Sequence, residues 1–530
     1  MNRGVARGAA AVAVLLVAAS LTACTADAGG DASAPADASD IPQAALDVMN
    51  GELYESSRWQ IYVEDLETGD VLVDYFGDAM AEPGSFVKTY SAGAAWLKFG
   101  SDSTLTTPVK ATGEVADGTL NGDLVLVGQG DLTMGGRTKP DGTVDYTNLD
   151  HNDANPIPGA TLTTEDPLTG LNELAEQVKA SGINTVNGDV IIDDRLFSGE
   201  LDKQPVTPTI INQNIIDVLI TPGAAAGDPA TGELIPAVAP WTLSVDVETV
   251  EAGGGTRLTN PKVEGDGKLT ITGTIAADAD PTLKVYVLTD TATFARTAFV
   301  EALQRAGVTV TADPIATNPA DALPTEDAVA QSPAVAELES LPLSEEAEYV
   351  MKISYNRGAQ TFICRLAVTD GSKDCDDGMP VAGQIWKDAG LDTTGASLID
   401  GSGLGGNFVT AKNAAQVQRL MAERPDGDLW RETLPIMGVD GSLTTVQADS
   451  EAAGKVFAKT GTLVAGDSLN DRIRIVTKTL GGVIEAESGR TLLFTVIMNN
   501  AFAGFDDYIE VVFQTNDDVG AVAGAIQQAF

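Results

Sequence analysis

"EPGSFVKTYSAGAAWLKFG", residues 82–100, places Ser85 and Lys88 three apart, where a run of helix-forming residues begins. Residues three apart on a helix share a face, so the Lys88 amine would stand about one turn above the Ser85 hydroxyl. A lysine acts as a base only when burial or a nearby cation lowers its pKa. The same helix start would aim the Ser85 backbone N–H at an incoming carbonyl oxygen, half of an oxyanion hole. Ser-x-x-Lys alone is a weak pattern, although this tetrad occurs once in the chain.

Two further stretches bear on it. "FAKTGTL" holds the sole Lys-Thr-Gly, Lys459-Thr460-Gly461, followed by Thr462, on an apolar segment that reads as a strand. Glycine lets such a strand approach an active-site helix closely, and a lysine with threonine hydroxyls can bind a carboxylate. "MKISYNRGA" supplies Ser354 and Asn356 on a helix-helix connection; a second Ser-x-Asn, Ser468 to Asn470, follows the Lys-Thr-Gly and stands in the wrong order. Taken singly, each group has a plain structural reading: a helix cap for Ser85, a surface lysine for Lys88, a polar loop pair for Ser354 and Asn356, and an edge-strand turn for Lys459 to Thr462.

The surroundings set the organisation. "RWQIYVEDLETGDVLVDYFGD", 58–78, reads as two strands about a Glu-Thr-Gly-Asp turn. From 101 to 335 short apolar runs alternate with Gly, Asp and Pro turns, the texture of a β-rich insertion, with helices near 168–182 and 291–307. Residues 312–345, rich in Ala, Pro and acids, read as a return linker. Helices then dominate, one behind a Thr410 cap, before strands at 454–463 and 489–500 and a closing helix capped by Thr515 or Asn516. This describes one α/β domain, residues 45–100 and 336–530, split by an insertion over 101–335.

At the front, Arg3 and Arg7 precede an apolar run ending in "LTAC", Leu21 to Cys24. The run is too short to span a membrane and has the length of a signal-peptide core. A small residue just before Cys24 resembles the lipobox of bacterial lipoproteins, which implies a leader over 1–23, a lipid on Cys24 and a flexible tether over 24–44. Of three cysteines, Cys364 and Cys375 then remain as an even pair in an oxidising compartment, and a disulfide is expected.

A formal net charge of −44 and no basic cluster argue against nucleic acid or an anionic membrane surface as partner. The one histidine, His151, lies in the polar stretch "DYTNLDHNDANPIPG" and reads as an exposed loop residue. A Ser-His-Asp hydrolase or a multi-histidine zinc site has little to draw on. No metal and no cofactor is expected.

Taken in order, Ser-x-x-Lys, Ser-x-Asn and Lys-Thr-Gly resemble the three motifs of the penicillin-recognising serine enzymes. The interval of about 270 residues between Ser85 and Ser354 is far longer than in a β-lactamase. It is similar instead to the D-alanyl-D-alanine carboxypeptidase/endopeptidases of the penicillin-binding protein 4 type, as are "GDLVLVGQGDLTM", "NGDVIIDDRLFSG", "LIDGSGLG" and "LPIMGVDGSL". Tyr355 stands where that family often has Asp, and Gly84 where Ala is common.

The resemblance implies an antiparallel sheet flanked by helices, with a helical subdomain. It implies peptidoglycan stem peptides as substrate and β-lactam antibiotics as ligands. Ser85 would be the nucleophile, and Lys88 its base, with a pKa lowered by Lys459 and burial. Ser354 would relay the proton with help from Lys459, Asn356 would hold the substrate amide, and Thr460 and Thr462 the terminal carboxylate beside Gly461. A serine β-lactamase, an inactive lipid-anchored wall-binding or scaffold protein, and a solute-binding lipoprotein are the competing readings.

Overall fold

Long apolar runs near the two ends of the chain meet in one sheet. The computed structural model describes residues 38–265 and 267–530; the leader, Cys24 and residues 24–37 of the expected tether lie outside them. Strands β1 (Arg58–Asp65) and β2 (Val71–Tyr75) form the hairpin read at 58–78. Three long strands follow at the far end, β3 (Val456–Asp467), β4 (Arg472–Glu485) and β5 (Thr491–Ala503). All pair antiparallel in the order β2-β1-β5-β4-β3, with Arg58 opposite Asn499.

Helix α1 (Gln43–Met49) and the C-terminal helix cover one face of that sheet. Ile41, Ala45 and Met49 are buried there, so the segment read as tether contains a residue, Ile41, that packs into the core. The closing helix starts at Tyr508 rather than at Thr515 or Asn516. Thr515 is buried in mid-helix, its hydroxyl donating back to the Val512 carbonyl. Val519, Val522, Ala523 and Ile526, at helical spacing, face the sheet. Burying each of the larger of these side chains is worth about 1.5–3 kcal/mol.

A second core holds the helical subdomain. Helix α2 (Lys88–Phe99) follows a 3-10 turn over Gly84–Val87, so Ser85 sits in the tight turn and Lys88 opens the α-helix. Residues 88–96 are buried all round, as the apolar and small composition requires. Helix α3 (Leu343–Lys352) and helix α4 (Asn356–Thr369) pack on α2. The helix-helix connection expected at Ser354 and Asn356 is the break between them, at Ile353, Ser354 and Tyr355. Cys364 of α4 is joined to Cys375, and the pair packs against Phe197, Leu201 and Val206 of the insertion.

The insertion has its own core. Its first strand, Thr106–Ala111, pairs antiparallel with Ala334–Glu339. The stretch read as a return linker therefore contains a strand, and also a helix over Glu326–Gln331 capped by the Thr325 hydroxyl. Polar, proline-rich composition hid a β-edge that gains its partner only from a segment more than two hundred residues earlier.

Candidate active site

The three motifs converge through two close backbone approaches. Gly84 has φ of +54°, and a Cβ there would lie 2.8 Å from the Thr462 nitrogen; a Cβ on Gly461 would lie 2.0 Å from the Pro83 carbonyl oxygen. Strand β3 and the Ser85 turn touch backbone to backbone, which only glycine at both points allows. Ser354 also holds a left-handed conformation, φ +59°, in the break between α3 and α4. Such backbone in a non-glycine residue persists only where the surroundings enforce it.

Lys88 is fully buried. Its Nζ donates to Ser85 Oγ at 2.8 Å, to Asn356 Oδ1 at 2.6 Å and to the Ser402 carbonyl at 2.8 Å. All three ammonium donor positions are used, which fixes the amine against the serine hydroxyl. Lys459, equally buried, donates to Ser354 Oγ at 2.9 Å and to the Thr460 carbonyl at 2.9 Å. Thr460 Oγ1 lies 2.9 Å from Ser442 Oγ. Ser85, Ser354, Asn356, Thr460 and Thr462 line one cleft, which encloses about 1580 Å³ including its open mouth. Cys364 and Cys375 lie away from it in a separate packing cluster.

Desolvation dominates the electrostatics. Burial pulls Lys88 down to about 7, opposed by the Asp400 and Asp153 carboxylates. Burial is the main cause for Lys88, and Lys459 is held well below the usual lysine value by burial and by the Lys88 charge, a repulsion that the two lysines share. Asp400 is locked behind Lys88 by N–H groups of Ser402 and Gly403 and by Asn407. The "LIDGSGLG" stretch thus serves as the support that carries the Ser402 carbonyl.

Sequence reasoning missed two charged groups of the cleft. Asp153 stands on its wall, and burial raises its carboxyl to about 6 against the pull of Lys88 and Lys459. Lys478 of β4 donates to Thr462 Oγ1 at 3.0 Å and is likewise drawn down to about 7 by burial. Lys478 lies directly opposite Thr462 in the β3–β4 register, a signal available only once the hairpin register is known.

His151 corrects the expectation of an exposed loop residue. It is buried, with Nδ1 2.9 Å from Asp217 Oδ1 and Nε2 2.8 Å from Arg137 Nη2. Arg137 is held bidentately by Asp150 at 2.7 and 2.9 Å and stacks on the Tyr349 ring of α3. Because an arginine can only donate, Nε2 accepts and the proton sits on Nδ1, facing Asp217; the tautomer is assigned from these partners. The polar residues around it in sequence are partners in a buried network, and their polarity was misread as exposure.

Comparison with known proteins gives the same architecture. The family model described as D-Ala-D-Ala carboxypeptidase 3 (S13) matches residues 43–511. The chain is 28% identical to a D-alanyl-D-alanine carboxypeptidase of Actinomadura sp. (strain R39), over 86% of this chain and 80% of that protein. It is 25% identical to a carboxypeptidase of Mycobacterium tuberculosis, over 83% of this chain and 76% of that one. Penicillin binding protein 4 of Haemophilus influenzae shares the fold, with a TM-score of 0.64 at 20% identity, covering 89% of this chain and 99% of that structure.

Proposed function

The chain belongs to the D-Ala-D-Ala carboxypeptidase 3 (S13) family of serine peptidases, and we propose that its carboxypeptidase and endopeptidase chemistry on peptidoglycan stem peptides runs through an acyl-enzyme on Ser85. The observation that carries this is the 2.8 Å contact between a buried Lys88 amine and the Ser85 hydroxyl. An amine drawn down to about 7 is neutral in a large fraction of molecules at neutral pH, so it can accept the Ser85 proton as Oγ attacks the carbonyl between the last two D-alanines.

Backbone N–H groups of Ser85 and Thr462, brought together by the Gly84 contact, receive the developing oxyanion. Ser354, held by Lys459, passes the proton to the departing amine. Asn356 orients Lys88 through Oδ1 and keeps its amide N–H groups for the substrate. The Thr460 and Thr462 hydroxyls, beside Gly461, face the terminal carboxylate. Water then releases the acyl group. With free D-alanine as leaving group this is carboxypeptidase action; with a cross-link it is endopeptidase action. No cofactor enters the scheme.

As a peptidoglycan enzyme the protein works outside the cytoplasm. The finer assignment is export by the 1–23 leader and anchoring through lipid on Cys24, with the body beginning near Ile41; "LTAC" and the small-residue stretch behind it support this reading. Among the described residues no helix is long and apolar enough to cross a membrane.

Intact-mass measurement after exposure to penicillin tests the scheme. One adduct mapping to Ser85, absent in Ser85→Ala, is the expected result, with D-alanine released from a stem pentapeptide by the unmodified enzyme. A folded protein that takes no label overturns it, and rapid turnover of penicillin without a persistent adduct would mark a β-lactamase.

A further inference from the structure

Asp400 takes no part in the chemistry above. It is buried, and it belongs to the wall of a separate cavity between α2 and Trp386 rather than to the cleft that holds Ser85. Four donors converge on its carboxylate. The Ser402 N–H at 2.7 Å, the Ser402 hydroxyl at 2.8 Å and the Gly403 N–H at 2.7 Å reach Oδ1, and the Asn407 amide reaches Oδ2 at 2.7 Å. The group accepts every one of these bonds, as an ionised carboxylate does. Three of the four donors come from its own turn, so the side chain dictates the path of the backbone from 400 to 403.

That turn touches both reacting groups. The Ser402 carbonyl accepts from Lys88 Nζ at 2.8 Å, and the Gly401 carbonyl accepts from the Ser91 hydroxyl at 2.7 Å. Lys88 and Ser91 lie three apart on α2 and share a face, so two successive carbonyls of the turn run along the helix that carries the base. The Gly401 N–H donates to Gln360 Oε1 at 2.8 Å, which ties the turn to α4, whose first residue, Asn356, is a further acceptor of the Lys88 amine. One residue beyond Ser402, Gly403 lies so close to the Gly84 carbonyl, just before Ser85, that a Cβ would have no room. Nucleophile and base thus rest on consecutive residues of one turn.

Resting on the acyl-enzyme reading above, we propose that Asp400 is a positioning residue for acylation: by closing its turn it holds the Ser402 carbonyl against the Lys88 amine and the Gly403 backbone against the Ser85 turn. Its charge adds a second action through space. Asp400 is the foremost influence opposing the burial that draws Lys88 down, with Asp153 behind it, and Lys459 bears on the same amine with the opposite sign. A base serves best when its pKa lies near the working pH. Burial left unopposed would make Lys88 a weaker base.

The test follows acylation of Ser85 by a fluorescent penicillin in the full protein, separating the affinity of the first complex from the rate of bond formation across the pH range. Asp400→Asn keeps the side-chain length and an acceptor for the turn while removing the charge. Its half-maximal pH is expected to fall by about one unit, the low end of what a neighbouring opposite charge does, and its limiting rate by about tenfold. Affinity should stay within about threefold, because Asp400 does not line the cleft. Asp400→Glu keeps the charge and displaces the turn, so it should lose limiting rate with the half-maximal pH near that of wild type. An unmoved half-maximal pH in Asp400→Asn, or a loss that falls on affinity instead of rate, overturns the assignment. Where Asp400→Asn does not fold, Ser402→Ala decides, since it deletes one donor to Asp400 and keeps every backbone group: its limiting rate should fall by at least about threefold, and an unchanged rate overturns the proposal. Labelling of wild type separates the two levels. Labelled wild type with unaffected variants removes only the role of Asp400, whereas unlabelled wild type removes the acyl-enzyme reading and this one with it.

Discussion

Gly461 approaches Pro83 so closely that a single methyl group on its Cα would stand 2.0 Å from the Pro83 carbonyl oxygen. The atom in the way is backbone, so nothing can rotate aside. Gly461→Ala should push β3 off the Ser85 turn and separate the two oxyanion N–H groups. A displacement of about 1 Å in a reacting geometry lowers rates on the order of 100-fold. The second-order rate of acylation by a fluorescent penicillin should fall by about that factor, and a loss under threefold would refute the contact.

The pH profile of acylation should rise with pH and be half-maximal near 7, because Lys88 must be neutral to accept the serine proton and burial draws it to about 7. Protonation below that point removes the base, so the acid limb is the inactive one. Lys459, Asp153 and Asp400 act on the same charge, so the measured midpoint belongs to the coupled group. Stopped-flow acylation from pH 5.5 to 9 reads it; a flat profile, or one falling across this range, would contradict Lys88 as base. Lys88→Arg, always charged, should abolish labelling at every pH.

Removing the Cys364–Cys375 bridge by double substitution to serine should lower stability by about 2–3 kcal/mol, the chain-entropy value for a loop of this size. The bridge packs against insertion residues and lies outside the cleft. Urea unfolding should therefore shift while acylation of the folded fraction stays within about threefold. A large loss of acylation with unchanged unfolding would contradict this separation.

His151→Ala should destabilise by about 2–4 kcal/mol, since inside the protein it strands a donor of Arg137 and leaves Asp217 Oδ1 without its partner, with Asn212 alone still donating to that carboxylate. Chemical denaturation measures this, and Ser85 should still be labelled completely at saturating penicillin. A change under about 0.5 kcal/mol would mean that the histidine is solvated after all.

The part of the site that lay open to sequence reading is the part written in short spacings. Ser85 with Lys88, Ser354 with Asn356, and Lys459 with Gly461 each keep a local geometry that a few residues determine, and the cysteine pair follows from counting. Lys478 and Asp153 act through distance in space. One depends on the register of a hairpin and the other on a turn folded over from the insertion, and neither leaves a periodic trace. His151 misled because polarity in sequence signals exposure only when no buried partners await it. The Thr515 cap misled for a related reason: a residue suited to starting a helix is tolerated inside one when its hydroxyl can bond the preceding turn.

The pairing of β1 with β5 joins residues more than four hundred positions apart, Arg58 with Asn499. The insertion, by contrast, can clasp its first and last strands as soon as residue 339 has emerged. A chain leaving the ribosome or crossing a membrane N-terminus first can thus complete its middle before its flanks have anything to pair with. Until the last strand arrives, Ser85 has no Lys-Thr-Gly strand fixed beside it, and the serine waits unassembled. Any product halted before residue 491 leaves β1 with an open edge. Assembly of the nucleophile's surroundings waits for the last strand of the sheet, so hydrolytic competence doubles as a report that synthesis has passed Ala503.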